Sequence, residues 1–207
     1  MNVKDTPALV LGIGNVLWAD EGFGVRCVET IHERWELPPG VRLLDGGTQG
    51  LYLVNDVCDA ERLLVLDAID FGDPPGTLRV LEGDEVPRYA VAKKMSMHQT
   101  GFQDVLAAAD LMGKSPREVV LIGVQPAQLE DFGGSLTPLV SARVDDAVAE
   151  AVLQLHRWGF RPWPRLNPPS EPLMGPGLDR ARYEAGRPSE EDAWRIGDRR
   201  VLERGGG

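Results

Sequence analysis

Three short apolar runs, Ala8–Ile13, Arg62–Ala68 and Glu118–Val124, constrain the fold more than anything else in this chain. None alternates polar with apolar residues, as a strand with one face in water would. A strand that stays apolar along its length is covered on both faces. Between the runs lie stretches with helical periodicity. Phe23, Cys27, Val28, Ile31 and Trp35 share a face after the first run, and Leu51, Val54, Val57 and Cys58 do so before the second. Phe102, Val105, Leu106, Ala109 and Met112 precede the third, and a stripe from Leu139 through Val140, Val144, Val148, Ala151, Val152 and Leu155 follows it. Val41–Leu44 and Thr77–Leu81 complete a set of five strands, the latter at an edge. Strands alternating with helices predict a three-layer α/β sandwich: a mainly parallel, twisted sheet with helices on both faces and right-handed crossovers.

Residues 1–159 form the predicted α/β domain. From 160 the character changes: residues 160–207 hold seven of the 16 prolines, seven of the 24 glycines and few aliphatics. Such a segment buries little, and it is expected to be an extended or disordered tail, with Trp163 and Trp194 as its possible anchors. The formal net charge of −10 argues against nucleic-acid binding and suits a metal or a basic partner. No run reaches the roughly 20 apolar residues of a membrane span, and the first residues lack a signal-peptide pattern. The expectation is a cytoplasmic, monomeric protein whose Cys27 and Cys58 are reduced packing residues.

In an open parallel sheet, ligands bind beyond the carboxyl ends of the strands. Acids stand at three such ends: Asp20 and Glu21, Asp45, and Asp67 with Asp70. His98 opens a helix after the aperiodic 83–97 stretch, which reads as a loop over the site. The first strand ends in Gly12-Ile13-Gly14-Asn15-Val16-Leu17, with leucine where a dinucleotide fingerprint needs its third glycine. Acids at 20 and 21 would repel a pyrophosphate, and no Walker lysine follows. A metal fits better: Glu21, Asp67 and His98 offer two carboxylates and an imidazole, a set suited to zinc or nickel. Each has a plainer reading, as a helix-dipole partner, a turn cap and a helix-start residue respectively. Asp20 reads as a helix N-cap, and Gly12 and Gly14 as the turn that brings Glu21 to the rim. Asp45 and Asp70 are reserve ligands or turn caps, while His32 and His156 read as structural.

The motifs LGIGNVLWADEGFGVR (11–26), DGGTQGL (45–51), LLVLDAIDFGDPPGT (63–77), SMHQTGFQDVLA (96–107) and VVLIGVQP (119–126) resemble those of the nickel–iron hydrogenase maturation proteases. The DEGFG and HQTGFQDVLA wording is most similar to the branch serving uptake hydrogenases. The resemblance covers about residues 8–158. It implies an endopeptidase that removes the C-terminal extension of the [NiFe]-hydrogenase large-subunit precursor after nickel insertion. It also implies that Glu21, Asp67 and His98 are the metal-binding and catalytic positions. Nickel would then come from the substrate, with zinc or cadmium able to occupy the site in vitro. With no Ser-His-Asp or Cys-His set in the sequence, metal-assisted hydrolysis is the expected chemistry. The competing readings are a non-enzymatic maturation chaperone holding the same precursor and a hydrolase acting on unrelated peptides.

Overall fold

A computed structural model describes residues 6–83, 85–86, 97–129, 131–167, 169–175 and 177–187, the side chains of residues 6 and 97–101 excepted. The first long element is strand β1 (Thr6–Ile13), followed by a 3-10 turn (Ala19–Gly22) and helix α1 (Phe23–Arg34). Strands β2 (Trp35–Glu36) and β3 (Val41–Gly47) come next, then a second 3-10 turn (Gly50–Leu53) and helix α2 (Val54–Asp59). Strands β4 (Ala60–Ala68) and β5 (Leu78–Glu82) precede helix α3 (Met97–Leu111) and strand β6 (Glu118–Val124). The chain continues through α4 (Pro138–Ser141), α5 (Val144–Arg157), β7 (Trp163–Pro164) and α6 (Arg180–Gly186).

The main sheet has five strands in the order β3-β1-β4-β6-β5. All its pairings are parallel except the last, where β5 runs antiparallel to β6 at the edge. The apolar runs divide their side chains between two cores. Ala8, Val10, Leu64, Leu66, Val120 and Ile122 face α1 and α5, meeting Phe23, Cys27, Val28, Ile31, Val148 and Leu155. Leu9, Leu11, Leu63, Val65 and Leu121 face the opposite layer, meeting Val57, Cys58, Phe102, Val105 and Ala109. This is the predicted three-layer sandwich, and it explains why the strands show no alternation: either face meets a helix. Both cysteines are free and buried. Three residues assigned to apolar stripes are instead exposed, Leu51, Met112 and Leu139. The predicted last helix, Thr137–Trp158, is broken after Ser141. Its first piece carries Pro138 at its start and is capped by the Thr137 side chain.

The segment after residue 160 departs from an extended or disordered tail as far as Arg187. Strand β7 pairs antiparallel with β2, matching Trp35 with Pro164 and Glu36 with Trp163. The Trp163 indole donates to Glu36 at 3.1 Å, so this anchor acts as expected, while Trp194 lies outside the described residues. Composition misled here because the arm is held mainly by polar contacts to α1, which hydrophobic patterning does not register. Among its apolar residues Met174 is buried. Among the described residues, no helix is long and apolar enough to cross a membrane.

Candidate functional site at the carboxyl rim of the sheet

Two glycines let the site form. Gly14 follows β1 with φ +129°, and a Cβ there would lie 1.8 Å from the carbonyl oxygen of Glu21. Gly24, in the first turn of α1, is pressed onto the strand ends: a Cβ would meet Leu66 O at 2.0 Å and Ile13 O at 2.4 Å. Side chains at either position would push the Glu21 turn off the rim. Gly12 is a strand residue facing Gly24 and not part of the turn. Between Gly14 and Gly24 the chain makes the 3-10 turn, entered through Ala19 at φ +41°, a left-handed conformation uncommon for alanine. Holding a non-glycine residue there costs on the order of 1 kcal/mol, which the surroundings must offset.

Asp20 supplies that support, and not as the predicted N-cap. The residue before the turn is Trp18 and the one before α1 is Gly22, neither with a side-chain capping bond. The Asp20 carboxylate is fully buried. Its Oδ2 accepts from Ala127 N and Gln128 N, both at 2.9 Å, and from the Thr137 hydroxyl at 3.1 Å. Its Oδ1 accepts from Thr137 N at 2.7 Å. The Asp20 amide donates to Gln128 O at 3.1 Å. Asp20 thus clamps the segment after β6 to the turn that carries Glu21. Its acid type and position were visible in the sequence, but its partners lie more than 100 residues away, and no local pattern points to them.

Glu21 is half-buried, and its turn packs against β4. Asp67, near the carboxyl end of β4, is 6% exposed and accepts from the Ala68 amide at 2.8 Å, which orients the carboxylate. The structure therefore brings the Glu21 turn and the Asp67 strand end to one rim. His98 lies in the first turn of α3, and its side chain is outside the described residues. Helix α3 packs against the Gly50–Leu53 turn after β3 and leads to the start of β6. That direction sets its first turn at the carboxyl rim. Among the described residues, which leave out the His98 side chain, no three His, Cys, Asp or Glu come together as a metal-holding group. The loop expected at 83–97 falls mostly outside the described residues.

The reserve acids cap turns. Asp45 accepts from Gly47 N at 2.9 Å. Burial pushes its carboxyl above the usual carboxylate range, opposed by that backbone bond. Asp70 accepts from Gly72 N at 2.9 Å and from the Gln125 side chain at 3.1 Å. Gln125, buried at the end of β6, also accepts from Phe71 N at 2.7 Å and Asp73 N at 3.2 Å, and so shapes the loop that follows Asp67. His32 contacts Glu171 O at 2.9 Å, and His156 has Arg161 beside it, both away from the acids at the rim.

The fold and rim define a class: a three-layer α/β protein with acids gathered at the carboxyl ends of its parallel strands. A sequence model of the hydrogenase maturation proteases (HycI) matches residues 25–154. The chain is 58% identical to the hydrogenase expression/formation protein HupD of Rhodobacter capsulatus, over 96% of this chain and 94% of that protein. It is 56% identical to HoxM of Cupriavidus necator, over 94% of this chain and 97% of that protein. Among solved structures it is similar to the hydrogenase maturating endopeptidase HybD from Escherichia coli. That likeness has a TM-score of 0.73 at 40% identity, covering 77% of this chain and 98% of the other. The chain belongs to the hydrogenase maturation protease family. The HupD match takes in 199 of the 207 residues and so runs into the C-terminal arm.

Proposed function

We propose that this protein is the endopeptidase that removes the C-terminal extension of a [NiFe]-hydrogenase large-subunit precursor after nickel insertion, with Glu21, Asp67 and His98 as the residues that grasp the precursor's nickel. The observation that carries the reading is the close approach of Gly24 to Leu66 O, which lays the Glu21 turn across the strand end holding Asp67. The donor chemistry fits. Two carboxylates with an imidazole suit a borderline divalent ion, and Asp67 is already oriented by a backbone amide. The DEGFG and HQTGFQDVLA motifs, with the likeness to HupD and HoxM, support the uptake-hydrogenase branch.

The work of these residues is to bind and orient. Glu21 and Asp67 would supply oxygen donors from two elements packed together, with His98, in the first turn of α3, as the nitrogen ligand of the set. Nickel in the precursor would polarise the scissile carbonyl or activate water beside it. Hydrolysis then places the water oxygen on the carbonyl carbon as the C–N bond breaks, and a proton passes to the leaving amine. A precursor without nickel offers these donors nothing to grasp and should not be cut. Zinc or cadmium would occupy the same donors in vitro.

The test is incubation of the purified protein with nickel-loaded and nickel-free precursor, read by mass spectrometry. The expected result is loss of a C-terminal peptide from the nickel-loaded form alone, abolished by Glu21→Gln, Asp67→Asn or His98→Ala. Full cleavage by those variants removes the residues from the mechanism, and equal cleavage of both precursors removes nickel recognition. Binding of an intact, uncut precursor would identify a chaperone.

A further inference from the structure

The segment 127–137, of which Glu130 lies outside the described residues, borders the Glu21 turn and is held from two sides. Asp20 holds it from within. The C-terminal arm holds it from without: the Tyr183 hydroxyl donates to Gly134 O at 3.0 Å, and Ser135 Oγ hydrogen-bonds the Glu184 carboxylate. Next to these contacts, Gly133 N donates to Leu17 O at 2.7 Å, and the exposed Phe132 ring lies tilted over Trp18, centroids 5.3 Å apart. The Trp18 carbonyl in turn accepts from Glu21 N at 2.9 Å. A short path of contacts therefore joins α6 to the Glu21 turn.

The part of the arm that carries α6 is fastened to the buried face of α1. The buried Arg26 donates through Nη1 to Glu29 Oε2 and to Leu178 O, both at 2.8 Å, with Met174 Sδ at 3.6 Å and the Tyr183 ring beneath the guanidinium. Glu29 Oε1 accepts from Arg180 N at 2.6 Å, and Arg180 Nη2 donates to Ser141 Oγ at 2.8 Å. A buried ion pair recovers its desolvation cost only when its remaining donors and acceptors are satisfied. Here the arm satisfies them, so α6 has a defined seat, with Tyr183 and Glu184 aimed at segment 131–135.

We propose that the C-terminal arm is a positioning element of the site, with Tyr183 and Glu184 holding segment 131–135 and its Phe132 against Trp18, the residue that enters the Glu21 turn. The arm thereby governs how the precursor polypeptide seats and leaves the bond-breaking step alone. This rests on the maturation-protease reading for its substrate.

The experiment uses the full chain carrying Tyr183→Phe with Glu184→Ala, both residues partly exposed and outside the cores. It measures amide hydrogen exchange over 131–135, precursor affinity, and steady-state cleavage of nickel-loaded precursor. The expected result is about tenfold faster exchange in 131–135 and a KM raised about fivefold, equivalent to about 1 kcal/mol, with kcat within about twofold. Glu184→Gln alone, which keeps an acceptor for Ser135, should restore the parental KM. Unchanged exchange overturns the proposal, because the arm then does not hold the segment. Faster exchange with unchanged KM and affinity overturns it too, as does a fall in kcat at constant KM. A parent protein that neither binds nor cuts the precursor sinks the maturation-protease reading, while the exchange measurement still judges the arm.

Discussion

Replacing Asp20 by asparagine separates two roles that a carboxylate at this point could have. At a helix N-cap, asparagine and aspartate are equivalent, so the change would cost almost nothing. In the clamp seen here it is expensive. Asparagine has one acceptor oxygen, and in the Oδ2 position it can serve Ala127 N, Gln128 N and the Thr137 hydroxyl. Its amide nitrogen then faces Thr137 N, donor against donor, where Oδ1 accepted at 2.7 Å. Orphaning one buried amide costs about 1–3 kcal/mol, and the other bonds lose their charge assistance, with partial relief from no longer burying an ion. The sum is about 2–4 kcal/mol. For a chain of this size that is a fall in Tm of roughly 6–12 °C. The assay is thermal and urea unfolding of Asp20→Asn, Thr137→Val and the double variant. Because both residues belong to one network, the double variant should be non-additive by about 1 kcal/mol. A Tm within about 2 °C of the parent, with additive effects, would refute the clamp and restore the cap.

Asp45 makes a pH-dependent prediction. Burial raises its folded pKa above the unfolded value, so the folded state holds its proton longer. Stability therefore falls as pH rises from the ordinary carboxylate pKa through the raised one, and the deficit persists at neutral pH. Asp45→Asn, which can still accept from Gly47 N, should raise Tm at pH 7 and change it little near pH 3; an equal shift at both would refute the burial argument. Gly24→Ala should cost at least about 3 kcal/mol, since both close neighbours are backbone atoms and cannot rotate away; equilibrium unfolding measures it, and a near-neutral result would mean that α1 can lift off the strand ends. Arg26→Met leaves Glu29 buried without its cation and should cost about 3–5 kcal/mol while exposing residues 174–187 to limited proteolysis; an arm that stays resistant would show that it docks without the ion pair.

The chain's architecture was legible because the central strands β1, β4 and β6 and the long helices write their burial into their own residues. Runs such as Leu63–Leu66 and stripes such as Phe23, Cys27, Val28 and Ile31 report locally how many faces meet apolar neighbours, and so the layers could be read before any coordinates. The candidate acids were legible for a related reason: strand ends are recognisable, and ligands gather at one rim of such a sheet. Leu51, Met112 and Leu139 show the limit of that reading, since a helical stripe can run past the edge of the layer that would cover it.

What the sequence by itself determined is the five strands of the main sheet, the long helices between them and the acids at the strand ends. Tertiary structure alone decided what Asp20, Gln125, Arg26 and the C-terminal arm do. Asp20 is bonded to Ala127, Gln128 and Thr137, Gln125 to the loop after Asp67, and Arg26 to Leu178. The physical reason is that hydrophobic burial is additive and leaves a periodic trace. A buried hydrogen bond depends on the meeting of two groups, and when they are distant in the chain neither carries a mark of the other.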